Sequence, residues 1–179
     1  MPALTAPTLT DGDITVRPLR ESDIPAIVAA CQDPEIPRWT RVPSPYFVED
    51  ARRFLALSAS EAAAGDGVAL AIAGADDRLI GTVGLFGFAG TEGEIGYWTA
   101  AEARGRGAAT RAVVLVRDWA HATLGLTAVE ILAHRDNAPS QRVAERAGFT
   151  ATGQERRAAQ MPPGRRDGFK VFRWVAPDL

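Results

Sequence analysis

The chain has 179 residues, 46% hydrophobic and 23% charged, with a formal net charge of −2. That length suits one domain with a sizeable core, and the slightly acidic balance excludes a general affinity for nucleic acid or a membrane surface. Cys31 is the only cysteine, so there is no internal disulfide and no zinc-type ligand spacing. Neither a basic-then-apolar leader nor an apolar run of about 18 residues exists, so a cytoplasmic, metal-free, non-membrane protein is expected.

Residues 1–11 carry Pro2, Pro7 and several threonines and read as a loose tail ahead of a single domain over 12–176. Residues 14–19 alternate as a strand does, with Pro18 marking an edge or a strand end. A helix starting at Glu21 or Ser22 carries Ile24, Ile27 and Val28 as its apolar stripe and stops at Asp33-Pro34. Residues 35–46 hold three prolines with Trp39 and Tyr46 and read as irregular. A second helix is expected from Val48 to Ala63, with Glu49 and Asp50 at its positive end and Ala51, Phe54 and Leu55 inward. Residues 68–73, 79–86 and 94–99 read as three strands on short turns, an antiparallel meander.

The next stretch, ARGRGAATRA at 103–112, has the form of an anion cradle. Gly105 and Gly107 put no side chain between backbone and ligand. The helix expected from Gly105 to His121 leaves its first N–H groups unpaired at the positive end of its dipole. Arg104 and Arg106 add charge that can fork onto phosphate oxygens. No Gly-Lys-Ser/Thr follows, which excludes a Walker loop. A third glycine is absent and the loop lies past mid-chain, which excludes a dinucleotide fingerprint. A strand at 129–133 then completes a crossover between parallel neighbours. Asn137 caps a further helix with Pro139 in its first turn and Gly148 as its stop. Residues 149–156 and 168–175 read as a final hairpin joined through 161–164. His121 and His134 have no evident partner, and Cys31 reads as inert.

Arg104-x-x-Gly107-x-Ala109 resembles the pyrophosphate signature of the GCN5-related N-acetyltransferase (GNAT) family. Asn137-x-x-Ser140, continued through Glu145-Arg146-Ala147-Gly148-Phe149, and Glu94-Ile95-Gly96-Tyr97-Trp98 are similar to its RimJ/RimL-like branch. The resemblance spans Ile14 to Val175. It implies an α+β fold: a mixed, mostly antiparallel sheet of about seven strands, flanking helices, and a splayed cofactor cleft between strands four and five. It also implies acetyl-CoA as co-substrate. Backbone groups of Trp98 and Thr99 would bond the pantetheine amides. The N–H groups of Arg104, Gly105, Arg106, Gly107, Ala108 and Ala109 would hold the pyrophosphate. Asn137 would bind the pantetheine arm, and Ser140 would sit near the thioester sulfur. Many relatives place a tyrosine acid there; the Asn-x-x-Ser helix offers serine instead, so a tyrosine acid is not assumed.

Strand alternation puts Glu94, Gly96 and Trp98 on one face and Ile95, Tyr97 and Thr99 on the other. Glu94 is read as the base that accepts the amine proton, directly or through water. Ser140 is read as the donor to the departing sulfur, and Trp39 and Tyr46 as a wall of the acceptor pocket. The expected activity is direct transfer of an acetyl group to a primary amine. An α-amine, with pKa about 7.7–8.0 against about 10.4 for lysine, loses its proton more easily, which favours a peptide or protein N-terminus. A small-molecule amine (a polyamine or antibiotic-like compound) and a non-catalytic acyl-CoA sensor are the alternatives. Arg156, Arg157, Arg165 and Arg166 form only a local cluster, so no nucleic-acid partner is expected; a homodimer is left open.

Overall fold

The computed structural model describes residues 2–158 and 161–177. The chain lays down β1 (Leu9–Thr10), β2 (Thr15–Pro18), α1 (Ile24–Ala30), α2 (Glu35–Trp39), α3 (Val48–Ala64), β3 (Gly67–Ala73), β4 (Leu79–Ala89) and β5 (Glu92–Thr99). Then come α4 (Ala108–Leu124), β6 (Ala128–His134), α5 (Ala138–Arg146), β7 (Thr150–Arg156) and β8 (Phe169–Val175). The strands form one sheet of eight in the order β1-β2-β3-β4-β5-β6-β8-β7. Only β5 and β6 run parallel, and α4 supplies the crossover that a parallel pair requires.

Helices cover both faces of this sheet. On one face α4 and α5 bury Val113, Val116 and Ala144 against Leu70, Ile95, Ile131 and Phe172. On the other, α1 and α3 bury Ile27 and Ala51 against Ala71 and Leu79. With cover on both sides, β3 reads as an almost unbroken apolar run, GVALAIA. The caps are local chemistry. The Asp50 carboxylate accepts from the Phe47 N–H at 2.9 Å to start α3, and Asn137 Oδ1 accepts from the Ser140 N–H at 3.2 Å to start α5.

Arg17 pins β2 to the start of α1. It is 3% exposed and forks onto both Asp23 oxygens at 2.9 Å, while its Nε reaches Asp77 at 2.7 Å in the β3–β4 turn.

The expected loose tail is corrected within the described residues, Met1 lying outside them. Leu4 is buried, its N–H bonds the Ala62 carbonyl at 2.8 Å, and Leu9–Thr10 pairs with β2. That short edge strand is the eighth, against about seven expected. Two residues of pairing give no alternation to read, so local pattern could not reveal it. The segment at 35–46, expected to be irregular, opens with the single helical stretch α2. The helix expected from Gly105 begins at Ala108 and runs on to Leu124. The meander strands also run two to three residues longer at the β4–β5 turn, where a bulge between Phe86 and Ala89 keeps the pairing going.

Candidate active site

β5 and β6 pair only through Glu92–Ala128, Gly93–Val129 and Glu94–Glu130. Beyond Glu94 each strand follows its antiparallel neighbour, β5 along β4 to Thr99 and β6 along β8 to His134. A cleft therefore opens between them. It is the expected splay between strands four and five, now the fifth and sixth of eight because of β1.

The backbone along this opening alternates. The Thr91 carbonyl accepts from Thr127 N–H at 2.8 Å on the β6 side, whereas Ala100 N–H donates to Ile80 on the β4 side. A Cβ on Gly81 of β4 would collide with the Trp98 carbonyl oxygen. Odd-numbered residues of β5 thus turn their N–H and C=O groups toward the opening, and even-numbered ones toward β4. The expectation that Trp98 and Thr99 both offer backbone groups to a ligand is corrected accordingly. Thr99 and Tyr97 face the cleft, and the Trp98 backbone is spent on the sheet.

A cavity of about 490 Å³ lies at the opening and is lined by Trp39, Tyr46, Glu94, Trp98, Asn137 and Ser140 of the residues singled out from sequence. The side chains divide by face as alternation predicts. Trp98 packs with the α1–α3 side, and Ile95 and Tyr97 with the α4 side. Glu94 is half-buried, and burial pushes its carboxyl above the ordinary carboxylate range. The field of Glu130 raises it further, while Arg156 and Arg41 pull it down. Ser140 comes from the other face on the first turn of α5. Base candidate and hydroxyl candidate therefore meet at the opening from opposite sides of the sheet.

Two residues of this site were not assigned a role from sequence. The Tyr97 hydroxyl lies 2.8 Å from Ser140 Oγ and donates to the Ser140 carbonyl at 3.1 Å. Burial pushes the phenol up to about 12, so it keeps its proton. Face alternation had placed Tyr97 away from Glu94, and only the position of α5 reveals that this face carries Ser140. His134, expected to lack partners, stands between Trp39 and Phe169 with ring centroids at 5.2 and 5.3 Å, and its Nδ1 accepts from Asp136 N–H at 3.1 Å.

The wall that the sequence reading assigned to the acceptor is formed by α2 and the loop after it. Trp39 Nε1 donates to Glu35 at 3.0 Å, and the Arg38 guanidinium lies 4.5 Å over the indole. Tyr46 is buried, which raises its phenol.

The cradle lies beyond the end of β5, after a tight turn at Ala101–Ala103. Gly105 and Gly107 have φ of +74° and +81°, a left-handed backbone that glycine adopts without penalty, and nothing lies within 4 Å of where a Cβ would stand. The first helical bond of α4 is Arg111 N–H to Gly107 C=O at 3.0 Å. The N–H groups of Ala108, Ala109 and Thr110 thus have no helical acceptor. Open Cβ positions beside unpaired N–H groups fit a pyrophosphate. The Arg104 guanidinium does not point there: it is held by Asp33 at 2.7 Å and the Thr99 carbonyl at 3.1 Å. Arg106 is exposed and, among the described residues, has no carboxylate partner.

No helix of the described residues is long and apolar enough to cross a membrane, and no group of three or more His, Cys, Asp or Glu side chains among them could hold a metal ion.

Probable N-acetyltransferase YjcK of Bacillus subtilis is 42% identical over 85 residues, a match covering 46% of this chain and 47% of that protein. The chain thus spans about half the length of the curated relative it matches. An acetyltransferase from Agrobacterium tumefaciens has a TM-score of 0.76 at 27% identity, covering 97% of this chain and 96% of that one. Mycobacterium smegmatis RimJ, solved in complex with CoA-disulfide, has a TM-score of 0.81 at 20% identity, covering 96% and 87%, a likeness of fold. The sequence model of the acetyltransferase (GNAT) domain matches residues 13–150, and with that match the chain belongs to the GNAT acetyltransferase family.

Proposed function

We propose that this protein transfers an acetyl group from acetyl-CoA directly to a primary amine, and that the amine is the α-amine of a polypeptide. The carrying observation is the cavity at the β5–β6 opening, where Glu94 and the Tyr97–Ser140 pair meet from opposite faces of the sheet. Membership of the GNAT family supports the acyl donor, and the sequence resemblance to the RimJ/RimL-like branch supports the α-amine.

When bound, acetyl-CoA supplies an acyl thioester with a thiolate leaving group. The N–H groups of Gly107 to Thr110 hold its pyrophosphate at the N-terminus of α4, with Arg106 close by. Tyr97 and Thr99 offer cleft-facing backbone groups to the pantetheine arm. Glu94 takes a proton from the incoming ammonium, a step made easier by its raised pKa. An α-amine needs less help than a lysine, its pKa lying roughly 2–3 units lower. Ser140 donates a hydrogen bond toward the departing sulfur once the Tyr97 hydroxyl turns its one proton from the Ser140 carbonyl to Ser140 Oγ.

Incubation with acetyl-CoA and a panel of N-terminal peptides and small amines, read by mass spectrometry, tests the reading. The expected product is a peptide heavier by one acetyl group on its α-amine. Acetylation confined to lysine side chains or to non-peptide amines would overturn the acceptor class. Thiol release without any acetylated amine would overturn the transferase.

A further inference from the structure

Arg41 is a cation in the wall of the Glu94 cavity; its field reaches the Glu94 carboxyl, but among the described residues no carboxylate pairs with it directly. The other arginine of that wall, Arg53, pairs with Asp50 at 3.1 Å. Arg41 makes no ion pair among the described residues. Its guanidinium stands 5.9 Å from the centre of the Phe86 ring. Phe86 lies directly across β4–β5 from Glu94, and its ring covers Gly96, the next residue on that face. A carboxylate and a guanidinium therefore flank one aromatic ring inside one cavity. Trp39, Tyr46 and Trp98 make the surrounding wall largely apolar.

Arg41 is exposed at this wall, so its guanidinium is open to an anion entering from solvent, and a carboxylate fits its fork. A polyamine entering here would bring a second ammonium toward Arg41, and like charges repel. An acceptor with one amine and one acid, joined by an apolar body, satisfies both ends.

We propose that Arg41 reads a carboxylate on the acceptor, so that this site takes primary amines of apolar body that also carry an acid group. The assignment rests on the transferase reading above, with the amine at Glu94. The acid has two sources of the same chemistry: an acidic second residue of a polypeptide, which refines the acceptor proposed above, or the α-carboxylate of a free amino acid, which replaces it.

Matched pairs test it. At saturating acetyl-CoA, kcat/KM is measured for phenylalanine against phenylalaninamide, and for a peptide beginning Ala-Asp against one beginning Ala-Asn, each corrected for its fraction of unprotonated amine. Wild type is expected to prefer the acid member of one pair by about tenfold or more, the worth of one charge-assisted hydrogen bond, and the pair that responds identifies the source. Arg41→Lys should keep the preference, Arg41→Gln bring the ratio near one, and Arg41→Glu invert it. Ratios near one in both wild-type pairs, or a preference that survives Arg41→Glu, would overturn the proposal.

Tryptophan fluorescence with the same four ligands and CoA present separates the two readings, since Trp39 and Trp98 line the cavity. Arg41-dependent binding of the acid member without acetylated product leaves the carboxylate site standing and sinks the transferase. Acetylated product with no acid preference does the reverse. Neither binding nor product from any of the four overturns the carboxylate site.

Discussion

Glu94 stands directly opposite Glu130 across β5 and β6, at the last residue pair before the two strands part. Paired residues of neighbouring strands share a face, so the two carboxylates are cross-strand neighbours. Glu130 is clamped by Arg156 at 2.7 Å and by Arg173 at 2.8 Å. Glu94 has no such clamp among the described residues, and burial raises its carboxyl. One member of the like-charged pair is thus tied to two arginines, and the other is the one whose carboxyl burial pushes upward.

The pH–rate profile should report this. A base works only when ionised, so kcat/KM falls as pH drops through the pKa of Glu94, above the ordinary carboxylate value of 4.5. Glu94→Gln should lower kcat by at least about 10²-fold, the lower end for a general base, and remove that acidic limb. Arg156→Gln removes a cation that favours the charged form, so the limb should move to higher pH. Glu130→Gln removes a neighbouring anion, so it should move to lower pH. Shifts in the same direction from both variants would mean a packing effect. A near-normal Glu94→Gln would mean that the amine arrives deprotonated and the site works by positioning.

The Tyr97–Ser140 pair makes a second prediction. Ser140→Ala should lower kcat less than Glu94→Gln does and leave the acidic limb in place, because a serine hydroxyl is a poor acid and its part is to stabilise the thiolate. Tyr97→Phe keeps the buried ring, so the variant should fold, at a loss of about 0.5–1.5 kcal/mol for one hydrogen bond. If the phenol acts through Ser140, the two substitutions are coupled. The double variant should then lose less than the sum of the singles, by about 0.5 kcal/mol or more in transition-state stabilisation. Strict additivity of kcat/KM changes would separate the two residues.

Much of this arrangement was legible in the sequence, for reasons that differ by residue. Glu94 and Trp98 share a face because strand side chains alternate, and a period of two can be read from a list of letters. The glycine turn into α4 was legible because two glycines ahead of an apolar helical run mark a strand-to-helix turn. The direction of the Trp98 backbone was not, since it depends on which neighbour β5 pairs with at each residue. Arg104 shows the same limit. Its place in the motif says nothing of Asp33, 71 positions earlier, which turns the side chain away from the loop. The partnership of Tyr97 with Ser140 spans 43 residues and exists only because α5 lands on that face.

The buried fork of Arg17 on Asp23 makes a stability prediction. Both side chains are nearly inaccessible, at 3% and 5%, whereas the Asp77 side chain is 56% exposed. Asp23→Ala leaves a buried guanidinium with one partner fewer, and breaking such a pair costs about 3–5 kcal/mol. Asp77→Asn should cost far less, because solvent already screens that carboxylate. Urea denaturation of the two variants checks the contrast. Equal losses would show that the turn at Asp77, and not burial, holds β2 to α1.

Gly107 is the sharpest test of the cradle. Its φ of +81° is a left-handed conformation, and a Cβ there would meet nothing within 4 Å. Gly107→Val therefore places its first side-chain atom in open space in the free protein. Its cost is backbone strain of about 1–2 kcal/mol, which for a domain of this size lowers Tm by roughly 2–8 °C. The fold should survive that. Binding should not, because the branched side chain stands where phosphates must approach the N–H groups of Ala108 to Thr110. Calorimetric titration with CoA should show a strong loss of affinity in a variant that still melts cooperatively. Gly107→Ala, with less strain than the β-branched valine and a smaller group, should lose less. Should folded Gly107→Val bind CoA as tightly as wild type, the pyrophosphate is not seated at this loop, and the unpaired N–H groups of α4 are no more than the open end of a helix.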